Sequence, residues 1–135
     1  MPLMAVTRLR IRSYRFLVPF AWQAWRSFRQ AKQAAGNFGA KVRRAEGLAF
    51  WTLTAWQDEA AMHAYRITRP HRDAMPKLLE WCDEAAVAHW HQASAELPGW
   101  ETAERRLADS GRVSKVNHPS ADQQAGRLDF MRKPG

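Results

Sequence analysis

Apolar and polar positions change rhythm several times along this chain, and each change marks an element. From Met4 to Arg12 they alternate, with Ala5, Thr7, Leu9 and Ile11 on one face and Arg8, Arg10 and Arg12 on the other. A period of two predicts a strand with one buried face. Beyond Pro19, Trp22, Trp25, Phe28 and Ala31 or Lys32 recur at helical spacing. This predicts an amphipathic helix to about Ala35, its aromatic residues inward and Gln23, Arg26, Arg29, Gln30 and Gln33 toward water. Gly36 stands where a left-handed residue closes a helix. Ala40 to Ala45 reads as a short basic strand, turned by Glu46-Gly47 into Leu48 to Trp56, a run rich in aromatic, Thr and Leu residues. That composition suits a strand packed on both faces.

Helical spacing returns at Ala60 to Arg66, with Asp58 and Glu59 in the first turn, where carboxylates complement the free N–H groups. The Thr68-Arg69-Pro70 break opens a second helix. With Asp73 as its cap, Pro76 falls at the third helical position, where proline costs little. Ala85 to Gln92 reads as a fourth strand, with His89 and His91 on one face and Trp90 on the other. Trp100 to Ala108 is a short helix ended by Ser110-Gly111. From Arg112 the composition turns polar, which predicts a mobile tail or an extended arm. The order strand, helix, strand, strand, broken helix, strand is the split pattern of an α+β, ferredoxin-like βαββαβ domain with a four-stranded antiparallel sheet. The expected division is a domain over 1–112 and a tail or arm over 113–135. Both faces of the third strand carry apolar groups while helices are available for one face only. A homodimer is therefore expected.

Composition narrows the class. A chain of 135 residues, 46% hydrophobic and 25% charged, is one globular domain that can bury a core without disulfides or metal. Cys82 is the single cysteine, and no apolar run is long enough to span a bilayer. Arg residues interrupt the first segment where a signal peptide needs apolar ones, so a cytoplasmic location is expected. The net charge of +8 favours anionic partners, whether nucleic acid, the surface of an anionic membrane or an acidic small molecule. The basic residues are scattered and no nucleic-acid-binding signature joins them, which makes nucleic acid the weak alternative and solvated basic faces the simplest reading.

The segments TLTAWQDEAAMHAY and PHRDAMPKLLEWCDEAAVAHW resemble the antibiotic-biosynthesis-monooxygenase-like group of the dimeric α/β-barrel superfamily, nearest to its spheroidene-monooxygenase-like and uncharacterised bacterial members. The likeness spans about Met4 to Gln92. It implies a dimeric α/β barrel and, by the range of that superfamily, a cofactor-free oxygenase of polycyclic aromatics, a haem protein or a protein without catalysis. Haem-degrading members carry Asn, Trp and His at positions that fall here on Thr7, Tyr65 and Met75, and all three differ.

The candidate chemistry centres on His71 and Tyr65, as base and as substrate-orienting hydroxyl. His71, Met75, Leu78 and Cys82 share a predicted helical stripe toward the sheet, and Trp56 and Trp81 are expected as walls of an apolar pocket, with Met75 and Thr7 also lining it. The same residues are compatible with plain core packing. Cys82 on that stripe is expected to be an inert buried thiol. His89 and His91 make only half of a metal site, so no metal is expected. The function expected is that of a small-molecule monooxygenase or binder acting on an aromatic or polyene ligand, without a cofactor unless haem. A non-catalytic dimeric binding or structural protein is the alternative.

Overall fold

The structure is a computed structural model that describes residues 1–45 and 47–126. Five strands form one antiparallel sheet: β1 (Leu3–Ile11), β2 (Asn37–Arg44), β3 (Ala49–Trp56), β4 (Cys82–His91) and the short β5 (Arg112–Val113), in the order β2-β3-β1-β4-β5. The first four have the ferredoxin-like arrangement that the sequence predicts, and β5 adds an edge the sequence did not announce. Helices α1 (Leu17–Gln33), α2 (Glu59–Arg66), α3 (His71–Trp81), α4 (Trp100–Ser110) and α5 (Ala121–Gln124) complete the chain. The register sets Thr7 opposite Thr52 and Val87, and Ala5 opposite Thr54 and His89.

Helices α1, α2 and α3 cover one sheet face. Their contact with it splits into two apolar clusters, one around Leu3, Ala31, Trp56 and Met62, the other around Ile11, Phe20, Cys82 and Ala85. The face that α1 buries is not the one predicted. Phe20, Gln23 and Ala31 point inward, whereas Trp22 is 56% and Trp25 is 51% exposed. Small inward residues, Ala24 and Ala31, let the helix lie close to the sheet. An indole there would hold it off.

The second sheet face is also covered, within the same chain. Met4, Val6, Trp51, Leu53, Ala55, Ala86, Ala88 and Trp90 pack against Ala103 and Leu107 of α4, with Leu97 and Trp100 at the margin. Cations on β2 clamp the helix: Lys41 and Arg43 lie 5.0 and 4.8 Å from the Trp100 ring, and Arg43 pairs with Glu104. The second layer of helix that seemed to require a partner subunit is therefore supplied by α4. Beyond it, Arg8 and Arg10 are held by carboxylates rather than left to solvent alone: Arg8 pairs with buried Glu84 at 2.8 Å and Arg10 takes Asp83 through two bonds of 2.9 and 2.8 Å.

Several boundaries shift: α1 ends at Gln33 rather than about Ala35, β2 begins at Asn37 rather than Ala40, and β4 begins at Cys82 rather than Ala85, which takes Cys82 off the helical stripe. Pro70, not Asp73, occupies the N-cap of α3, so Pro76 lies well inside the helix and removes one N–H···O bond there. After Arg112 the chain is an arm rather than a free tail as far as it is described. Val113 pairs with Ala86, Val116 is buried, and Ser120 donates to Glu84 at 2.7 Å. Leu128, Phe130 and Met131, apolar residues of the expected tail, lie outside the described residues.

Candidate functional site

The end of β3 and the junction of α2 with α3 bring three of the expected residues together. Trp56, fully buried, packs against Tyr65 with ring centres 5.1 Å apart and planes tilted by 31°, and Tyr65 packs against His71 at 4.6 Å and 47°. Each is held by its own element. Trp56 Nε1 donates to Thr54 Oγ1 at 2.8 Å along the same strand. Asp58 caps α2 by accepting from the Ala61 N–H, and α2 then carries Tyr65 over the indole. His71 opens α3 directly after Pro70.

Gln30 of α1 ties this junction in place. Its side-chain amide donates to the Tyr65 and Thr68 carbonyls, each at 3.1 Å, and its carbonyl accepts from the His71 backbone N–H at 2.8 Å. Sequence reasoning set Gln30 toward water. The only signal was an uncharged amide among charged neighbours, which is weak.

Electrostatics separate the two polar rings. The Tyr65 hydroxyl donates to the Ser27 carbonyl at 3.1 Å, and burial raises its pKa far above the ordinary value. It stays protonated. Burial lowers the His71 pKa, opposed by a hydrogen bond with the Arg66 carbonyl and assisted by the Arg66 charge. His71 Nδ1 lies 3.3 Å from that carbonyl, which makes Nδ1 the protonated nitrogen and leaves the lone pair on Nε2. Near neutral pH the ring is an uncharged base.

Beside the stack, α1 and the α2–α3 junction enclose an open groove of about 620 Å³, walled by Trp22, Trp25, Ala61 and Tyr65 and edged by Arg26, Arg29 and Arg69. Two indoles, a phenol ring and a cationic rim suit a flat apolar molecule that bears or develops negative charge. The groove went unseen in the sequence because Trp22 and Trp25 were assigned to the core.

The other expected site residues stand elsewhere. Trp81 packs on Phe16 in the second cluster, Met75 is 39% exposed on α3, and Thr7 lies at mid-sheet. Cys82 is buried, with its thiol pushed up to about 12, as an inert thiol should be. His89 lies on the helix side of the sheet, its pKa lowered by partial desolvation and by the charges of Arg66 and Arg112. Among the described residues no three His, Cys, Asp or Glu side chains gather as metal ligands. For haem, the residues present fit poorly. Thr7, Tyr65 and Met75 do not form one donor set, and the Tyr65 hydroxyl is engaged by Ser27.

No family model matches this sequence, and no curated protein matches it. Solved structures do match in fold. A conserved protein from Methanosarcina mazei Go1 is 14% identical with a TM-score of 0.62, covering 68% of this chain and 93% of its own. A protein described as an antibiotic biosynthesis monooxygenase is 12% identical with a TM-score of 0.61, covering 68% and 99%. SnoaB from Streptomyces nogalater, a cofactor-independent oxygenase, is 14% identical with a TM-score of 0.55, covering 73% and 98%. The chain has the fold of antibiotic-biosynthesis-monooxygenase-like proteins. It also carries further chain that these structures lack.

Proposed function

We propose that this protein takes a flat aromatic or polyene molecule into the groove beside Tyr65 and oxygenates it without a cofactor. The observation that carries the reading is the row of rings Trp56–Tyr65–His71, whose middle member Tyr65 lines a groove that holds two further indoles and is edged by arginines. Solved neighbours described as monooxygenases, one of them cofactor-independent, support it at the level of fold. Tyr65 serves as a wall and holds the geometry of the stack. His71 does not itself line the groove but lies beside Tyr65 and next to Pro70, which do; in this reading its Nε2 takes the proton of a substrate that reaches past Tyr65, and the arginine rim stabilises the resulting anion. That anion reduces O₂ directly. A methylene becomes a carbonyl, one oxygen atom enters the product and the other leaves as water, so the substrate itself supplies all the electrons. Trp81, Met75 and Thr7 have no part in this reading.

One observation favours the non-catalytic alternative: the Tyr65 hydroxyl and His71 Nδ1 are both engaged by backbone carbonyls, as packed structural groups would be. If subunits pair, they do so through a surface other than the one α4 covers. A hydroxyanthracene separates the readings, because it fluoresces and its anion reacts with O₂. Binding with O₂ uptake is expected in the wild type, and His71→Gln should keep the binding while losing uptake by about 100-fold or more. Binding without uptake leaves a binder. No binding ends both readings of the groove.

A further inference from the structure

The outward side of α1 presents an apolar stripe with no partner in the chain. Val18, Trp22 and Trp25 follow one another at spacings of four and three, and are 79%, 56% and 51% exposed; Tyr14, just before the helix, is 69% exposed. Residues so spaced share one helical face. Single exposed apolar residues are ordinary, but a continuous stripe of this kind marks an interaction surface.

Charge around the stripe is one-sided. Ten basic residues and no acidic one precede Glu46 in the sequence. Arg8, Arg10, Arg12 and Arg43 are taken by carboxylates elsewhere in the fold. Arg15, Arg26, Arg29 and Lys32 make no ion pair with a described residue. They lie instead against the rings of Phe16, Trp22, Trp25 and Phe28, at 4.7, 6.0, 5.5 and 5.5 Å. Their charges are left for something outside the molecule.

We infer that α1 docks on an anionic lipid bilayer, with Val18, Trp22 and Trp25 entering the headgroup–acyl boundary and Arg15, Arg26, Arg29 and Lys32 meeting the lipid phosphates. Indoles favour that boundary, and arginine stems reach along apolar surface to place their heads at its polar edge. Two features choose lipid over single-stranded nucleic acid. Base stacking needs free ring faces. Here Trp22 and Trp25 stack on each other at 5.6 Å, and guanidinium groups lie over both. The most exposed member is also aliphatic: Val18 has nothing to offer a base and much to offer an acyl chain. The inference stands whether or not the groove holds a ligand. If it does, Trp22 and Trp25 belong to both surfaces, and a lipid-soluble molecule passes from bilayer to groove without crossing water.

The test is co-sedimentation of the full chain with vesicles of phosphatidylcholine containing about one third phosphatidylserine, against phosphatidylcholine alone. Binding to the anionic vesicles and little to the neutral ones is expected. Arg26→Gln/Arg29→Gln should weaken it by roughly 30-fold at low salt, and salt should weaken it further. Val18→Asp, an exposed position outside the groove, should weaken it by about tenfold without altering the melting temperature or the binding of a groove ligand. No binding to anionic vesicles at low salt overturns the inference, as does binding that ignores Val18→Asp. So does a lipid-free dimer abolished by Val18→Asp, or single-stranded oligonucleotide binding that depends on Trp22 and Trp25 in place of lipid binding.

Discussion

At the scale of single residues, His71 shows how burial tunes an imidazole. Its pKa is lowered in the folded chain, while the unfolded chain titrates near the ordinary value of about 6.5. Between the two values the unfolded state holds more protons. Stability is therefore full above about pH 6.5 and is lost as pH falls through the folded value. His89 shifts in the same direction and adds to the effect. Thermal melts should show a falling transition temperature from about pH 7 to pH 5, and a shallower fall in His71→Gln. Equal slopes in the two proteins would mean that His71 is not buried as described. The approach of Tyr65, His71 and Trp56 was legible in the sequence, since each ends or opens an element next to a turn. Gln30 was not, because nothing in one-dimensional spacing tells a solvated amide from one that fastens three backbone groups.

At the scale of elements, periodicity found every strand of the ferredoxin-like core and both of its helical crossovers, yet turned α1 to the wrong side. The stripes Trp22–Trp25–Phe28 and Phe20–Ala24–Ala31 both satisfy helical spacing, and the larger side chains won the comparison on hydrophobicity. Close packing decides otherwise, because thin residues suit a helix lying on a sheet. The end of α1 was misplaced: the helix stops at Gln33 with Ala34 extended as its cap, and Gly36, read as the left-handed closing residue, lies in the turn into β2. Gly36 has φ of +82°, and a Cβ placed there would stand 2.6 Å from the Ala61 Cβ at the start of α2. Gly36→Ala should cost about 2 kcal/mol or more in denaturant unfolding, from the left-handed backbone and the clash together. A loss under about 0.5 kcal/mol would contradict the tight α1–α2 approach that shapes the groove.

At the scale of the whole molecule, the sheet is covered on both faces by one chain. Apolar residues on both sides of β3 were read correctly; what covers them was not, because the pattern of Trp100–Ser110 says only that a helix has an apolar side, not which surface it meets. Ending the chain after Ala95 would uncover Trp51, Leu53 and Trp90. Such a truncation is expected to bind apolar dyes and to sediment above the monomer mass, by exposure of a patch that soluble monomers avoid. A truncated monomer with an unchanged melting temperature would show that α4 is dispensable. Among the described residues no helix is long and apolar enough to cross a membrane.

The most direct measurement of the groove is an amide NMR titration of the full chain with a hydroxyanthracene. Binding beside Tyr65 predicts saturable shifts that cluster on Trp22, Trp25, Gln30, Tyr65 and Thr68, with the Trp22 and Trp25 indole N–H signals among the largest, and weaker saturation in Tyr65→Ala. Shifts confined to mid-sheet around Thr7 and Thr52, or no saturable shifts at all, would contradict it.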